Sequence, residues 1–496
     1  MSKISLPHYL LFIDGEWVEG AAGKVMPTVN PATGEPWASF ACAAPEDVDR
    51  AVKAARRVLS EPAWSGLSAT ARGQLMHKLA DLLEEHAQVL GAVETTDSGK
   101  LAAETQSQAK YVANYYRYYA GLADKIEGQT LPIDKPDMHV FTKPEPIGVV
   151  AAVVPWNAQM FLTATKLAPA LAAGCSVIIK ASELAPVAIL EFAKLIEKAG
   201  FPKGVVSVIT GDAEGCAIPL TSHPDIDRLA FTGGPETAKH VVRNTANNFA
   251  VTSLELGGKS PILVFNDADL ESATNGIIAG NFGASGQSCV AGSRVYVQRD
   301  LYPALRDRLL ERTAQIRVGD PLDPQSHIGP LCTLAQIEGI EKALANSIQQ
   351  GAKLLTGGRR LNALGSGFYF EPTIVECPHA EIDTLHVEMF GPVMSIACFD
   401  TEEEAIALAN DSEFGLGSGL FTENLAKALR VSQQIQSGIC WVNTYRAVSY
   451  MAPFGGVNQS GYGREAGIQA IQDYTRVRTT WISTSSEPMS NPFIMR

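Results

Sequence analysis

Gly148-Val149-Val150-Ala151-Ala152-Val153-Val154-Pro155-Trp156-Asn157 is the stretch that decides the fold. A near-continuous apolar run closed by a proline suits a strand buried on both faces, the habit of a parallel sheet covered by helices. From about residue 147 the same alternation repeats. Strands are expected over 148–154, 176–180, 205–209, 228–231 and 251–255, with helices over 159–173, 186–199, 213–221 and 235–247. Upstream, 46–59 and 69–122 read as mainly helical, and Tyr111, Tyr115, Tyr116, Tyr118 and Tyr119 form a packing stripe. Past Gly258, apolar runs over 262–265, 294–297, 370–375, 393–399 and 439–442 announce a second α/β lobe.

Such a sheet keeps its ligands at the C-terminal edge, and three strand ends carry polar groups there. The first ends in Trp156-Asn157, whose amide suits an oxyanion although a lone Asn after a strand is usually a turn or cap. The second ends Lys180-Ala181-Ser182-Glu183, a cation and a carboxylate suited to ribose hydroxyls, or simply a solvated pair. The third ends Thr232-Gly233-Gly234-Pro235, a glycine turn opening a helix whose free N–H groups favour a phosphate. Each signal is weak singly, and no G-x-G-x-x-G is present. Adjacent strand ends converge, and that convergence is the argument for a ligand.

The sharpest chemical signal is Gly286-Gln287-Ser288-Cys289-Val290-Ala291-Gly292 with Leu254-Glu255-Leu256-Gly257-Gly258-Lys259 upstream. Small neighbours leave the thiol open to close approach, and Glu255 sits among apolar residues that raise a carboxyl toward general-base range. A thiol and a base together imply covalent chemistry on a carbonyl carbon.

Bulk properties narrow the rest. The 496 residues exceed one core, and 46% apolar content is that of a globular chain. A net charge of −13 without basic runs argues against nucleic acid and anionic membranes. The longest apolar run is too short for a membrane span. Without a secretory h-region near the N-terminus, the cytosol is the expected compartment. Eight cysteines without a C-x-x-C pair read as reduced thiols. No metal site is expected, since His379, Glu381, Asp383 and His386 form a loose cluster of the kind found in solvated loops.

Taken together, in order, these motifs resemble the NAD(P)-dependent aldehyde dehydrogenase superfamily, from Phe12-Ile13-Asp14-Gly15-Glu16-Trp17 to Tyr474. The resemblance implies Cys289 as nucleophile, Glu255 as general base, Asn157 as oxyanion donor, and Lys166 and Glu465 as proton-relaying residues. It places Trp156, Lys180, Ser182, Glu183, Gly233, Gly234, Glu388 and Phe390 around the cofactor. It further implies an α/β architecture in three parts. These are a Rossmann-type nucleotide-binding domain (1–124 and 146–257), an α/β catalytic domain (258–470), and a β oligomerisation arm (125–145 and 471–496) that makes a homodimer or homotetramer. NAD is favoured over NADP because Glu183 repels an added 2′-phosphate.

The chain departs from the family pattern at Gly234, Ala181 and Ala238. Ala158, Thr165 and Gly283 stand where the family often places tunnel aromatics, so a wide tunnel is expected, walled by Met160, Trp441, Tyr450 and Phe454 with Arg446 near its entrance. The expected substrate is a bulky, aromatic or oxygenated aldehyde. An amino-aldehyde, a cofactor-free thiol esterase and a catalytically silent relative are the competing readings.

Overall fold

The computed structural model describes residues 6–494; residues 1–5 and 495–496, the ends of the expected nucleotide domain and arm, lie outside the described residues. Eight strands form the first sheet, in the order Gly461–Tyr462, Val251–Glu255, Arg228–Thr232, Val149–Val153, Ser176–Lys180, Val206–Ile209, Leu11–Ile13 and Glu16–Val18. Its five central strands are parallel and are the five expected from the sequence. Val149–Val153 lies between Arg228–Thr232 and Ser176–Lys180, so the three polar strand ends are immediate neighbours. Helix Gln159–Ala173, buried over nearly its whole length, and helix Val187–Ala199 pack beside the sheet.

The expected helices carry local breaks. The stretch 69–122 is three helices, Ala69–Glu85, Ala87–Ser98 and Ala102–Leu122, because His86 leaves helical geometry and Gly99 turns left-handed at φ +79. Residues 213–221 begin as a π-turn, Ala213–Ala217, before a single turn Ile218–Thr221; Pro219 brings no N–H to an α-ladder there. The expected helix over 46–59 is present as Pro45–Val58, and strands stand ahead of it. Val25–Asn30 and Glu35–Ala41 form an antiparallel hairpin, whose turn is set by Asn30 Oδ1 accepting from Ala32 N at 2.9 Å and by Gly34 at φ +72.

The second sheet has seven strands, in the order Lys353–Thr356, Thr373–Glu376, Val393–Phe399, Arg294–Gln298, Pro261–Val264, Gly417–Phe421 and Ile439–Val442. Gly417–Phe421 escaped the sequence reading because glycine and serine interrupt its apolar run. Met138–Pro146 and Thr475–Ser483 form a separate two-stranded antiparallel ribbon. No helix among the described residues is long and apolar enough to cross a membrane. His379 and His386 hydrogen-bond loop carbonyls, and His379 also meets Glu381.

The segment Leu256–Ser260 carries the chain from one sheet into the other. Arg294, 1% exposed, fastens it: its Nε donates to Lys259 O at 2.7 Å, Nη1 to Leu408 and Asp411 carbonyls at 3.0 Å, and Nη2 to Ala409 O at 2.8 Å. Those carbonyls end the helix Glu402–Asn410, so one cation caps a helix and anchors the crossing. Replacing Arg294 by Ala strands several buried acceptors, and a loss of about 3–5 kcal/mol is expected, read as a lower midpoint in urea unfolding. An unchanged midpoint would show the anchor to be dispensable.

Candidate active site

Cys289 lies in the loop between helix Leu270–Phe282 and strand Arg294–Gln298, after Ala284 and Ser285, which adopt φ of +54 and +56. The segment is held down on both sides. A Cβ at Gly286, itself at φ +74, would overlap the Gly391 carbonyl. A Cβ at Gly258 would come within 2.6 Å of Cys289 O, so the glycine pair after Glu255 admits the Cys289 loop. Cys289 is half-buried, and its thiol is pushed up to about 12 by burial, then by Glu255 and Glu388, with Arg446 acting in the opposite direction. Asn157, at the end of the Val149–Val153 strand, donates through Nδ2 to Gln287 O at 3.1 Å, which holds its amide against the same loop.

Glu255 closes the strand Val251–Glu255 and is 3% exposed, with no hydrogen-bond partner on either carboxyl oxygen. Burial and the nearby Glu465 raise its carboxyl well above the usual range, against the pull of Lys166 and Arg464. Lys166 Nζ donates to Glu465 Oε1 at 2.5 Å and to Thr232 Oγ1 at 2.6 Å, and Thr165 Oγ1 donates to Glu465 Oε2 at 2.6 Å. The expected relay residues are therefore one buried cluster. Glu255 Oε1 lies 2.6 Å from the position a Cβ would take at Gly455, so the backbone after Phe454 reaches that cluster.

Cys289, Glu255 and Asn157 open onto one cavity of about 260 Å³ together with Trp156, Gly233, Gly234, Glu388 and Phe390. The Trp156 and Phe390 rings meet edge to face, 5.4 Å between centroids. Glu388 Oε1 accepts from Gly258 N at 2.9 Å, and its other oxygen occupies the space of a Cβ at Gly257; burial pushes this carboxyl up to about 7. Trp156, Gly233 and Gly234 also line an adjoining cavity of about 530 Å³ with Lys180, Ser182 and Glu183. Lys180 and Glu183 pair at 2.6 Å. Gly234 has open space where a Cβ would stand, and it precedes the N-terminus of helix Pro235–Thr245, which lacks a side-chain cap. Open backbone, free N–H groups and a carboxylate at each end fit a dinucleotide with its pyrophosphate on the helix.

Of the expected tunnel residues, Met160 is 1% exposed in the main core and Trp441 is 7% exposed with its indole donating to Ala447 O; neither these two nor Arg446, Tyr450 and Phe454 line the cavity that holds Cys289. Leu162, two residues past Met160 on the same helix, lines the cavity instead. Phe454 and Cys289 both pack against the core of the second sheet. Tyr450 contacts Tyr111, Tyr115 and Tyr118 at 5.3–6.0 Å between centroids, and Tyr115 meets Phe161 at 5.3 Å. Thr165 is committed to Glu465. The space at Gly283 is filled, since a Cβ there would overlap Arg446 Nη1.

Gln336 was missed. It lines the cavity with Glu388 and donates to Phe390 O at 3.1 Å. Its only sequence signal was the Thr333-x-x-Gln336 capping box, which is also formed.

The chain belongs to the aldehyde dehydrogenase family, whose profile matches residues 17–480. It is 53% identical over 492 residues to a (Z)-2-((N-methylformamido)methylene)-5-hydroxybutyrolactone dehydrogenase of Acinetobacter baylyi, covering 99% of this chain and 100% of that one. Among solved structures it is similar to betaine aldehyde dehydrogenase of Staphylococcus aureus in complex with NAD+ (TM-score 0.95, 35% identity, 98% of this chain and 97% of that chain). It is likewise similar to an aldehyde dehydrogenase mutant of Bacillus cereus (TM-score 0.94, 38% identity, 96% and 97%).

A thiol pushed this high is a small thiolate fraction near neutrality, so alkylation of Cys289 by iodoacetamide in the cofactor-free protein is expected to accelerate about ten-fold per pH unit between roughly pH 7 and 9. Peptide mapping of the labelled protein measures it. A pH-independent rate would mean that the thiol is already ionised.

Proposed function

We propose that the protein oxidises an aldehyde to the carboxylic acid with NAD. The observation that carries this reading is that a half-buried thiol, an unpartnered buried carboxyl and a side-chain amide share one cavity. Cys289 attacks the carbonyl carbon, and the alkoxide is held by the Asn157 amide and the Cys289 backbone N–H. NAD, when bound, supplies the hydride acceptor. The acyl group is then a thioester on Cys289. Glu255 takes a proton from water, the water oxygen attacks the acyl carbon, and the C–S bond breaks, which returns the thiolate to Cys289 and releases the carboxylic acid. Lys166 and Glu465 pass that proton outward.

NAD is preferred over NADP because Glu183 opposes a 2′-phosphate, a preference moderated by its pairing with Lys180. The small residues Ala158 and Thr165 support a bulky, aromatic or oxygenated substrate, and the similarity to a dehydrogenase named for a hydroxylated lactone supports the oxygenated class. The betaine aldehyde dehydrogenases make an amino-aldehyde the second reading; the positive charge of Arg446 near Cys289 opposes it. The apolar residues Val477, Trp481 and Ile482 are exposed on the ribbon, which supports it as the arm of a homodimer or homotetramer. Eight free cysteines support the cytosol as compartment.

Mutating Cys289 to Ala is expected to cut NADH formation by about 10⁴-fold or more while leaving NAD binding intact. Glu255→Gln is expected to release one equivalent of NADH per site and then stall, since only hydrolysis needs the base. Sustained turnover by either variant would overturn its assigned role. On an aldehyde panel, kcat/KM is expected to be higher for benzaldehyde and its ring analogues than for acetaldehyde; the reverse order would contradict the wide tunnel.

A further inference from the structure

We propose that Arg446 docks a carboxylate carried by the substrate, which makes the physiological substrate an aldehyde with an acid group a few carbons from the carbonyl. This rests on the reading of Cys289 as the atom that captures the carbonyl.

The geometry around Arg446 is that of a cation fixed in place without a counter-ion. Its backbone adopts the left-handed region at φ +62, a conformation that a long side chain takes only when its surroundings impose it. The surroundings do so on both sides. The Tyr445 hydroxyl donates to Val290 O at 2.9 Å, one residue beyond the nucleophile, and the Trp441 indole donates to Ala447 O at 2.8 Å. The guanidinium is thereby laid over Gly283, on the segment that leads into Cys289, where the absence of a Cβ leaves room for Nη1. Nη1 donates to Ala279 O at 3.0 Å, and this is the only side-chain hydrogen bond of Arg446 among the described residues. Nε and Nη2 are left over, and together they present the fork that a carboxylate accepts in bidentate fashion.

Nearby acid does not neutralise it. Glu104 approaches this wall, but its Oε1 accepts from Ala284 N at 3.0 Å and it forms no ion pair with Arg446. Arg446 therefore holds a guanidinium fork without a carboxylate over the segment that leads into Cys289. Arg446 also acts on Cys289 electrostatically, in the direction that favours the thiolate. A substrate carboxylate on the guanidinium would orient the aldehyde at the other end of the same molecule toward the sulfur, positioning that raises kcat/KM rather than binding alone.

The test compares matched aldehydes with and without the charge, 4-oxobutanoate against its methyl ester and 2-formylbenzoate against its methyl ester. The wild-type protein is expected to favour the acid over the ester by about ten-fold or more in kcat/KM. Arg446→Gln should bring that ratio close to one, and Arg446→Lys should keep part of it, whatever the absolute rates. A wild-type preference for the esters, or a ratio that Arg446→Gln leaves unchanged, would overturn the proposal and leave Arg446 as a filler of the Gly283 space. NADH formation from the neutral esters by wild-type but not by Cys289→Ala reports separately on the underlying reading. Should no aldehyde be turned over, thermal shift by succinate in the presence of NAD still decides: stabilisation of the wild-type protein that Arg446→Gln loses supports carboxylate docking, and its absence overturns it.

Discussion

Both oxygens of the Glu255 carboxyl are buried without a donor, and a second buried carboxyl, Glu465, lies close enough to oppose its ionisation. Water would relieve either condition, and the fold keeps both. Lys166 holds the balance: with no exposed surface, it places one positive charge between Thr232 and Glu465. Lys166 works against burial and Glu465, which together raise the Glu255 carboxyl. The arrangement draws on strands from one sheet, the helix Gln159–Ala173 and the segment after Phe454, so the cluster is assembled only when those parts are packed together.

The crossing between the sheets serves the same end. Leu254-Glu255-Leu256-Gly257-Gly258-Lys259 is at once the end of one strand, the floor under Glu388 and the surface on which the Cys289 loop rests. The two glycines are required by close approach from two sides, Glu388 over Gly257 and Cys289 O over Gly258. Lys259 follows them into the core, where burial and then the Arg294 charge lower it to about 7. One six-residue stretch thus holds Glu255, Glu388 and the Cys289 loop in a fixed geometry.

Much of this was legible in the sequence, and the reason is periodicity. The five central strands of the first sheet are short apolar runs ending in turn residues, and Ser176–Lys180 and Val393–Phe399 match their expected bounds. The grouping of Cys289, Glu255 and Asn157 in one cavity was legible because glycine or proline marks each as a place where backbone bends. What escaped depended on contacts between distant segments. Gly417–Phe421 is a strand because neighbours on both sides pair with it, and Gln336 reaches the cavity from a capping box. Met160 and Leu162 differ by two positions on one helix, and only packing decides which faces the core. The filling of the Gly283 space by Arg446 is of the same kind: a deleted side chain reads as a hole until the folded chain returns another group to it.

The central claim is that the sulfur of Cys289 carries the acyl group between oxidation and hydrolysis. Acid quenching within the first turnover, followed by intact-mass measurement and peptide mapping, tests it directly. The account predicts one acyl group per chain, on the peptide that contains Cys289, accumulating further when Glu255 is changed to Gln. NADH formed while that peptide stays unmodified, or an acyl group found on another cysteine, would contradict it.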